Sequence, residues 1–112
     1  MEKIFEQGIL YDFYGELLTE HQQKIYEAAV YNDLSLGEIA EEQGISRQGV
    51  HDLIKRCDRI LADYESKLHL VERFSSTKRM AQEIIELAEH GGETKETLRE
   101  IVRLGRELLE EL

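Results

Sequence analysis

From Leu34 to Leu61 the chain carries a spacing that leaves few alternatives: Ala40, then Gly44 four positions on, then the β-branched Val50 six further, with Ser35 and Ser46 each opening an amphipathic stretch. Two helices that cross steeply through a short turn need this pattern. The crossing position must be small, the turn needs a residue free to take positive φ, and a branched apolar side chain fills the wedge between the helices. Ser35-Leu36-Gly37-Glu38 reads as a capping box, in which the hydroxyl and the carboxylate each satisfy a backbone N–H at the helix start. Leu36, Ile39 and Ala40 then face inward, and Gly44 closes the helix in the left-handed conformation. Ser46 caps the helix that follows. The pattern predicts a helix-turn-helix over residues 34–61, specified by Ser35, Glu38, Ala40, Gly44, Ser46 and Val50, with Ile39, Ile45 and Ile54 completing the wedge.

The rest of the chain reads as helix too. There is no proline, so nothing interrupts a backbone hydrogen-bond ladder, and no stretch alternates in the manner of a strand. The expected fold is all-α, with a sigma region 4-like helix-turn-helix core that has no β-wing. A first segment runs roughly from Lys3 to Leu17, with Phe5, Ile9, Leu10, Phe13, Tyr14 and Leu17 at spacings of three and four, although Gly8 and Gly15 each weaken a helix by about 1 kcal/mol. Thr19 and Gln22 form a second capping box, and Ile25, Ala28, Ala29 and Tyr31 supply the inner face behind it. Asn32-Asp33 breaks that helix, since both side chains bond local backbone. After Ser46 the series Val50, Ile54, Cys57, Leu61, Tyr64, Leu68, Val71 alternates fours and threes with no breaker before Phe74-Ser75-Ser76. A helix over that stretch is about 40 Å long. Its second half therefore needs the first helix, the C-terminal segments or another copy of the chain to pack against. Two further amphipathic segments follow, near Thr77 to His90 and Thr94 to Leu112, hinged at Gly91-Gly92. In the last, Leu98, Ile101, Leu108 and Leu112 share a heptad stripe with Val102 and Leu109 beside it. Residues 1–74 are expected to form the helix-turn-helix domain and residues 75–112 a helical hairpin or a dimerisation segment. The persistent heptad spacing favours a homodimer, a self-packed monomer being the alternative.

Several functions are disfavoured. With one cysteine, Cys57, no intrachain disulfide forms, and the histidines His21, His51, His69 and His90 are too scattered for metal-ligand spacing. Cys57 lies on the core stripe and reads as a small buried hydrophobe, and the tyrosines Tyr11, Tyr14, Tyr26, Tyr31 and Tyr64 mostly fall at helical spacing and read as core rather than as stacking platforms. No glycine-rich phosphate loop and no nucleophile–base pair is present, so neither enzymatic activity nor a cofactor is expected. The apolar runs are too short for membrane insertion, and the N-terminus lacks the layout of a secretion signal, which points to the cytoplasm.

Charge bears directly on the motif. Fourteen Lys and Arg against 24 Asp and Glu give a net charge of −10, the opposite of the basic footprint that phosphate neutralisation requires. Any nucleic-acid contact must therefore come from a local strip. One exists. In a DNA-binding helix-turn-helix the start of the second helix enters the major groove, and the outward positions here are Arg47, Gln48, His51, Asp52, Lys55, Arg56 and Arg59. Arg suits guanine and Gln adenine in bidentate contacts, while the later cations suit phosphates. Ser46 to Arg59 holds four basic and two acidic residues. The same residues also make an ordinary solvated helix face, Asp52 opposes a phosphate unless it accepts a cytosine amino hydrogen, and Gly49 loosens the helix where a reader should be rigid.

The stretches Leu18-Thr19-Glu20-His21-Gln22, Asn32 to Glu41 and Gly44-Ile45-Ser46-Arg47-Gln48-Gly49-Val50 resemble region 4 of bacterial sigma factors. Continued through Asp52-Leu53-Ile54-Lys55-Arg56 to Tyr64-Glu65-Ser66-Lys67-Leu68, the chain looks more specifically like the YlxM family, small bacterial proteins encoded beside the signal recognition particle GTPase. The resemblance covers about Leu10 to Phe74. It implies a non-enzymatic DNA-binding or regulatory role. It also implies involvement in signal recognition particle-dependent targeting, with DNA, that GTPase or its RNA as partner. Carried over by residue, the recognition positions are Arg47, Gln48, His51, Asp52, Lys55 and Arg56. The chain departs from the family at Gly49, commonly Ala, and at His51, commonly Tyr. Two hypotheses stand: a DNA-binding regulator, and a protein- or RNA-binding accessory of the targeting GTPase without specific DNA binding.

Overall fold

A computed structural model describes residues 2–112, which form six α-helices and one 3-10 turn, with no strand among the described residues. The chain divides into two compact units, the first ending at His69 and the second spanning Leu70–Leu112. In the first, α1 (Lys3–Tyr14) passes through a 3-10 turn (Gly15–Leu17) into α2 (Glu20–Val30), followed by α3 (Leu36–Gln43) and α4 (Arg47–Leu68). In the second, α5 (Leu70–His90) and α6 (Lys95–Glu111) pack together as a helical hairpin.

All three expected caps form. Thr19 and Ser35 each head a complete capping box, with Gln22 and Glu38 returning the hydrogen bond, and Ser46 accepts from the Gly49 N–H at 2.9 Å. Hydrogen bonds from the Ser35 backbone N–H and side-chain hydroxyl hold the Glu38 carboxyl below its ordinary pKa. The core of the helix-turn-helix is Ile25, Ala28, Ile39, Ala40 and Val50, flanked by Leu34, Leu36, Leu53 and Ile54. Val50 and Ile39 are wholly buried, each worth about 1.5–3 kcal/mol of removed apolar surface. Ile45 is the exception to the expected wedge: it lies half-exposed at the turn.

Tyrosines build the other side of this core. Tyr11 stacks on Tyr26 with ring centroids 5.5 Å apart, and Tyr14 on Tyr64 at 6.0 Å. The expected inner face of α1 is corrected here. Tyr14 is buried as expected and Tyr11 beside it, whereas Phe5 and Phe13, and Leu17 in the following turn, stay exposed. Gly15 is what lets the Tyr11 ring settle, since a Cβ there would stand 2.7 Å from three ring atoms. On α2, Ile25 and Ala28 are buried as the inner face requires and Tyr26 is fully buried with them, whereas Tyr31, at the helix C-cap, is half-exposed.

The long recognition helix is shorter than its apolar stripe implied. It stops at Leu68, about 33 Å from its start, because His69 takes φ 56 and ψ 29 and donates its backbone N–H to the Glu65 carbonyl at 2.9 Å. Histidine is among the few non-glycine residues that visit the left-handed region with any frequency. Phe74, Ser75 and Ser76, expected to break the helix, lie inside α5. The interruption thus comes at residue 69 rather than 74. In the last helix the buried residue is Leu104, while Leu98, Val102, Leu109 and Leu112 face outward.

Candidate nucleic-acid interface

The turn of the helix-turn-helix is fixed by Gly44, at φ 67 and ψ 31, whose N–H and that of Ile45 both return to the Ala40 carbonyl. Ala40 itself is buried where α3 and α4 meet. α4 is therefore presented with its core side defined by Val50, Cys57 and Leu61 and its opposite side free. Gln48, His51, Asp52, Lys55, Arg56 and Arg59 are exposed on that opposite side, at the three- and four-residue spacings that bring helical positions together, and Arg47 is exposed in the first turn on the flank toward α3.

The two acidic residues of this stretch are not equivalent. Asp58 is half-buried and turned toward the core, where one carboxylate oxygen accepts from the Tyr26 hydroxyl at 2.6 Å and from Gln7 Nε2 at 2.8 Å. That junction ties α1, α2 and α4 together and removes a negative charge from the outer face. Burial and the adjacent Asp58 carboxylate raise the Tyr26 pKa strongly, so its hydroxyl remains a donor. Asp52 stays on the outer face. Gln48 Nε2 donates to it at 2.8 Å and His51 Nδ1 stands 3.5 Å from the same oxygen. Two of the groups suited to base edges, Gln48 and Asp52, are thus paired to each other.

One member of the cationic strip is invisible to a local reading. Lys3 of α1 comes beside Lys55, and its ammonium lowers the Lys55 pKa. The sequence separation of the two residues hides this; only the packing of α1 on α4 creates it. Arg47 lies back over the first turn of α3: a Cβ added at Gly37 would be 3.7 Å from its Nε. Gly49 is bounded by the cap, since a Cβ there would lie 3.1 Å from Ser46 Oγ. Cys57 is buried, and desolvation raises its thiol pKa to about 11, which leaves it neutral and unreactive. Among the described residues no group of three or more His, Cys, Asp or Glu is disposed to hold a metal ion, and no helix is long and apolar enough to cross a membrane.

A capped α3, a glycine turn and an α4 with an exposed polar face define a helix-turn-helix protein. The chain belongs to the UPF0122 family, whose model, described as "Putative helix-turn-helix protein, YlxM / p13 like", matches residues 1–101. The chain is 41% identical to a UPF0122 protein of Desulforamulus reducens over 112 residues, covering 98% of this chain and 96% of the relative. It is 51% identical over 85 residues to a UPF0122 protein of Acetivibrio thermocellus, covering 76% and 73% of the two chains. It is 38% identical over 102 residues to one of Bacillus thuringiensis, covering 91% and 93%. The resemblance seen in the sequence from Leu10 to Phe74 therefore extends through the second unit as well.

Proposed function

We propose that this protein is a nucleic-acid-binding regulator whose α4 outer face seats on duplex DNA. The observation that carries this reading is the cationic strip of Arg47, Lys55, Arg56 and Arg59, joined by Lys3 and with Asp58 turned away from it. Like charges held together as Lys3 and Lys55 are raise the local potential, and an anion between them relieves their repulsion; a phosphate meets that need. The rest of a −10 chain repels a polyanion and so orients it toward the strip.

Base reading is the lesser part of this proposal. Gln48 and Asp52 satisfy one another, so contacting a base edge costs their mutual hydrogen bond. Arg47 is the remaining base-reading candidate. The same pairing favours a second reading, in which the partner is held by its backbone and shape, as a structured RNA would be. Under that reading the protein serves the signal recognition particle, through its GTPase or that GTPase's RNA.

Fluorescence anisotropy with labelled duplex DNA and duplex RNA, titrated at several salt concentrations, tests both. If Lys3, Lys55, Arg56 and Arg59 each meet a phosphate, log K against log salt has a slope of about −3.6 on DNA, and Lys55→Ala reduces it by about 0.9. Arg47→Ala weakens binding without changing the slope by more than that. RNA bound tighter than DNA with the same salt slope moves the assignment to the second reading. Retention of neither at low salt removes both.

A further inference from the structure

The second unit carries an apolar face that its own hairpin does not cover. Measured round each helix from the inward residues Met80 and Leu104, a second apolar set stands roughly 80–160° further on, at 3.6 residues per turn. It comprises Ala81, Ile85 and Ala88 on α5 and Leu98, Val102 and Leu109 on α6. Because α5 and α6 run antiparallel, the same angular offset on each brings the two sets to one side of the hairpin. A shallow groove of about 340 Å³, lined by Ala88, Gly92, Thr97, Leu98 and Ile101, joins them. Ile85, Leu98, Val102 and Leu109 are 55%, 62%, 50% and 72% exposed. Solitary apolar residues on a surface need no explanation, but four on one side of a hairpin, three of them spaced four and seven along α6, do.

The charges bordering this face indicate its occupant. From the connecting turn downward, the outer edge of α6 carries Lys95, Arg99, Arg106 and then Glu110, while the outer edge of α5 carries Glu89, Glu86, Gln82 and then Lys78. At 1.5 Å per residue, Arg99 lies between the levels of Glu86 and Glu89, Arg106 between those of Arg79 and Gln82, and Glu110 between those of Ser75 and Lys78. These edges are on opposite flanks of one hairpin and cannot meet within it. A two-fold axis parallel to the helices sets the α6 edge of one copy beside the α5 edge of another, with cation facing anion at both ends. We propose that this face receives a second copy of the chain. The two hairpins close into a four-helix bundle with their connecting turns at the same end and each α6 beside the partner's α5. The four side chains cover on the order of 300 Å² of apolar surface per copy. With a polar rim in the usual proportion the interface is about 1,000 Å² over both copies, the lower limit for specific association, so a weak dimer that dissociates on dilution is expected.

Sedimentation velocity on the full chain over a concentration series tests this. The intact chain is expected to shift from monomer to dimer as concentration rises. Leu109→Glu, an exposed position, should raise the dissociation constant more than tenfold with the helical circular dichroism unchanged. Arg99→Glu should weaken association about fivefold, and adding Glu89→Arg should restore it. A chain that stays monomeric into the high micromolar range overturns the proposal. So does a Leu109→Glu variant that dimerises as the parent does. A charge swap that fails to restore an association weakened by Arg99→Glu overturns the turn-to-turn arrangement.

Discussion

Replacing Tyr26 with phenylalanine removes one oxygen atom from the junction that holds α4, and its cost can be worked from the geometry. The hydroxyl donates at 2.6 Å to Asp58, which also accepts from Gln7 at 2.8 Å, and the Tyr26 ring is fully buried. The ring still fills its place in Tyr26→Phe, so no cavity opens and the loss is that of a hydrogen bond to a charged acceptor, about 1.5–3 kcal/mol. Asp58 keeps Gln7 and some contact with water, which favours the lower half of that range. For a domain of this size about 2 kcal/mol lowers the melting temperature by roughly 10 °C. Urea unfolding followed by far-UV circular dichroism gives the free energy directly, and the double-mutant cycle with Asp58→Ala isolates the pair. A coupling energy of at least about 1 kcal/mol is expected. A loss in Tyr26→Phe below about 0.5 kcal/mol, or no coupling to Asp58, would show that the three-helix junction is a surface pairing and contributes nothing to the placement of α4.

Gly44→Ala should destabilise by about 1–2 kcal/mol although open space surrounds the position, because φ 67 is strained for any side chain. Gly8→Ala, in the interior of α1 and meeting only the Tyr31 ring at ordinary contact distance, should stabilise by about 1 kcal/mol in the same chemical-denaturation assay. Gly15→Ala should cost about 1–3 kcal/mol, since its methyl group falls 2.7 Å from the Tyr11 ring; a neutral outcome means the tyrosine stack can shift. Stability should fall at alkaline pH. Burial favours the neutral forms of Cys57, Tyr11 and Tyr26, so their folded pKa values lie above those of the unfolded chain, with Cys57 pushed up to about 11 and Tyr11 to about 12. Their contribution is complete below the unfolded values and is lost as pH rises through the folded ones. Thermal melts between pH 8 and pH 12 should show the decline beginning near pH 9–10, and Tyr26→Phe should make it shallower.

The local features of the fold could be read from the residues alone. Each cap is written within four residues, Thr19 to Gln22, Ser35 to Glu38 and Ser46 to Gly49, and the turn within one, because hydrogen bonds between a side chain and the next helical turn depend on little else. Ala40, Gly44 and Val50 likewise announced the crossing of α3 and α4, and the outward positions of α4 follow from the period of its buried ones. The break at His69 was not legible. Leu68 and Val71 continue the apolar stripe in phase across it, and a left-handed histidine has no marker of the kind glycine provides. Helical spacing did put Tyr11 and Tyr26 in the core, where the structure has them; what it could not show is the partner of the Tyr26 hydroxyl, since Asp58 lies 32 residues further along the chain. The candidate site divides along the same line. Its exposed cations on α4 could be named from spacing, whereas the approach of Lys3, the withdrawal of Asp58 and the position of Arg47 over Gly37 depend on how α1, α2 and α3 pack around α4. Spacing along one helix fixes which side chains share a face; only the packing of other helices decides which charges on that face remain available and which are drawn inward.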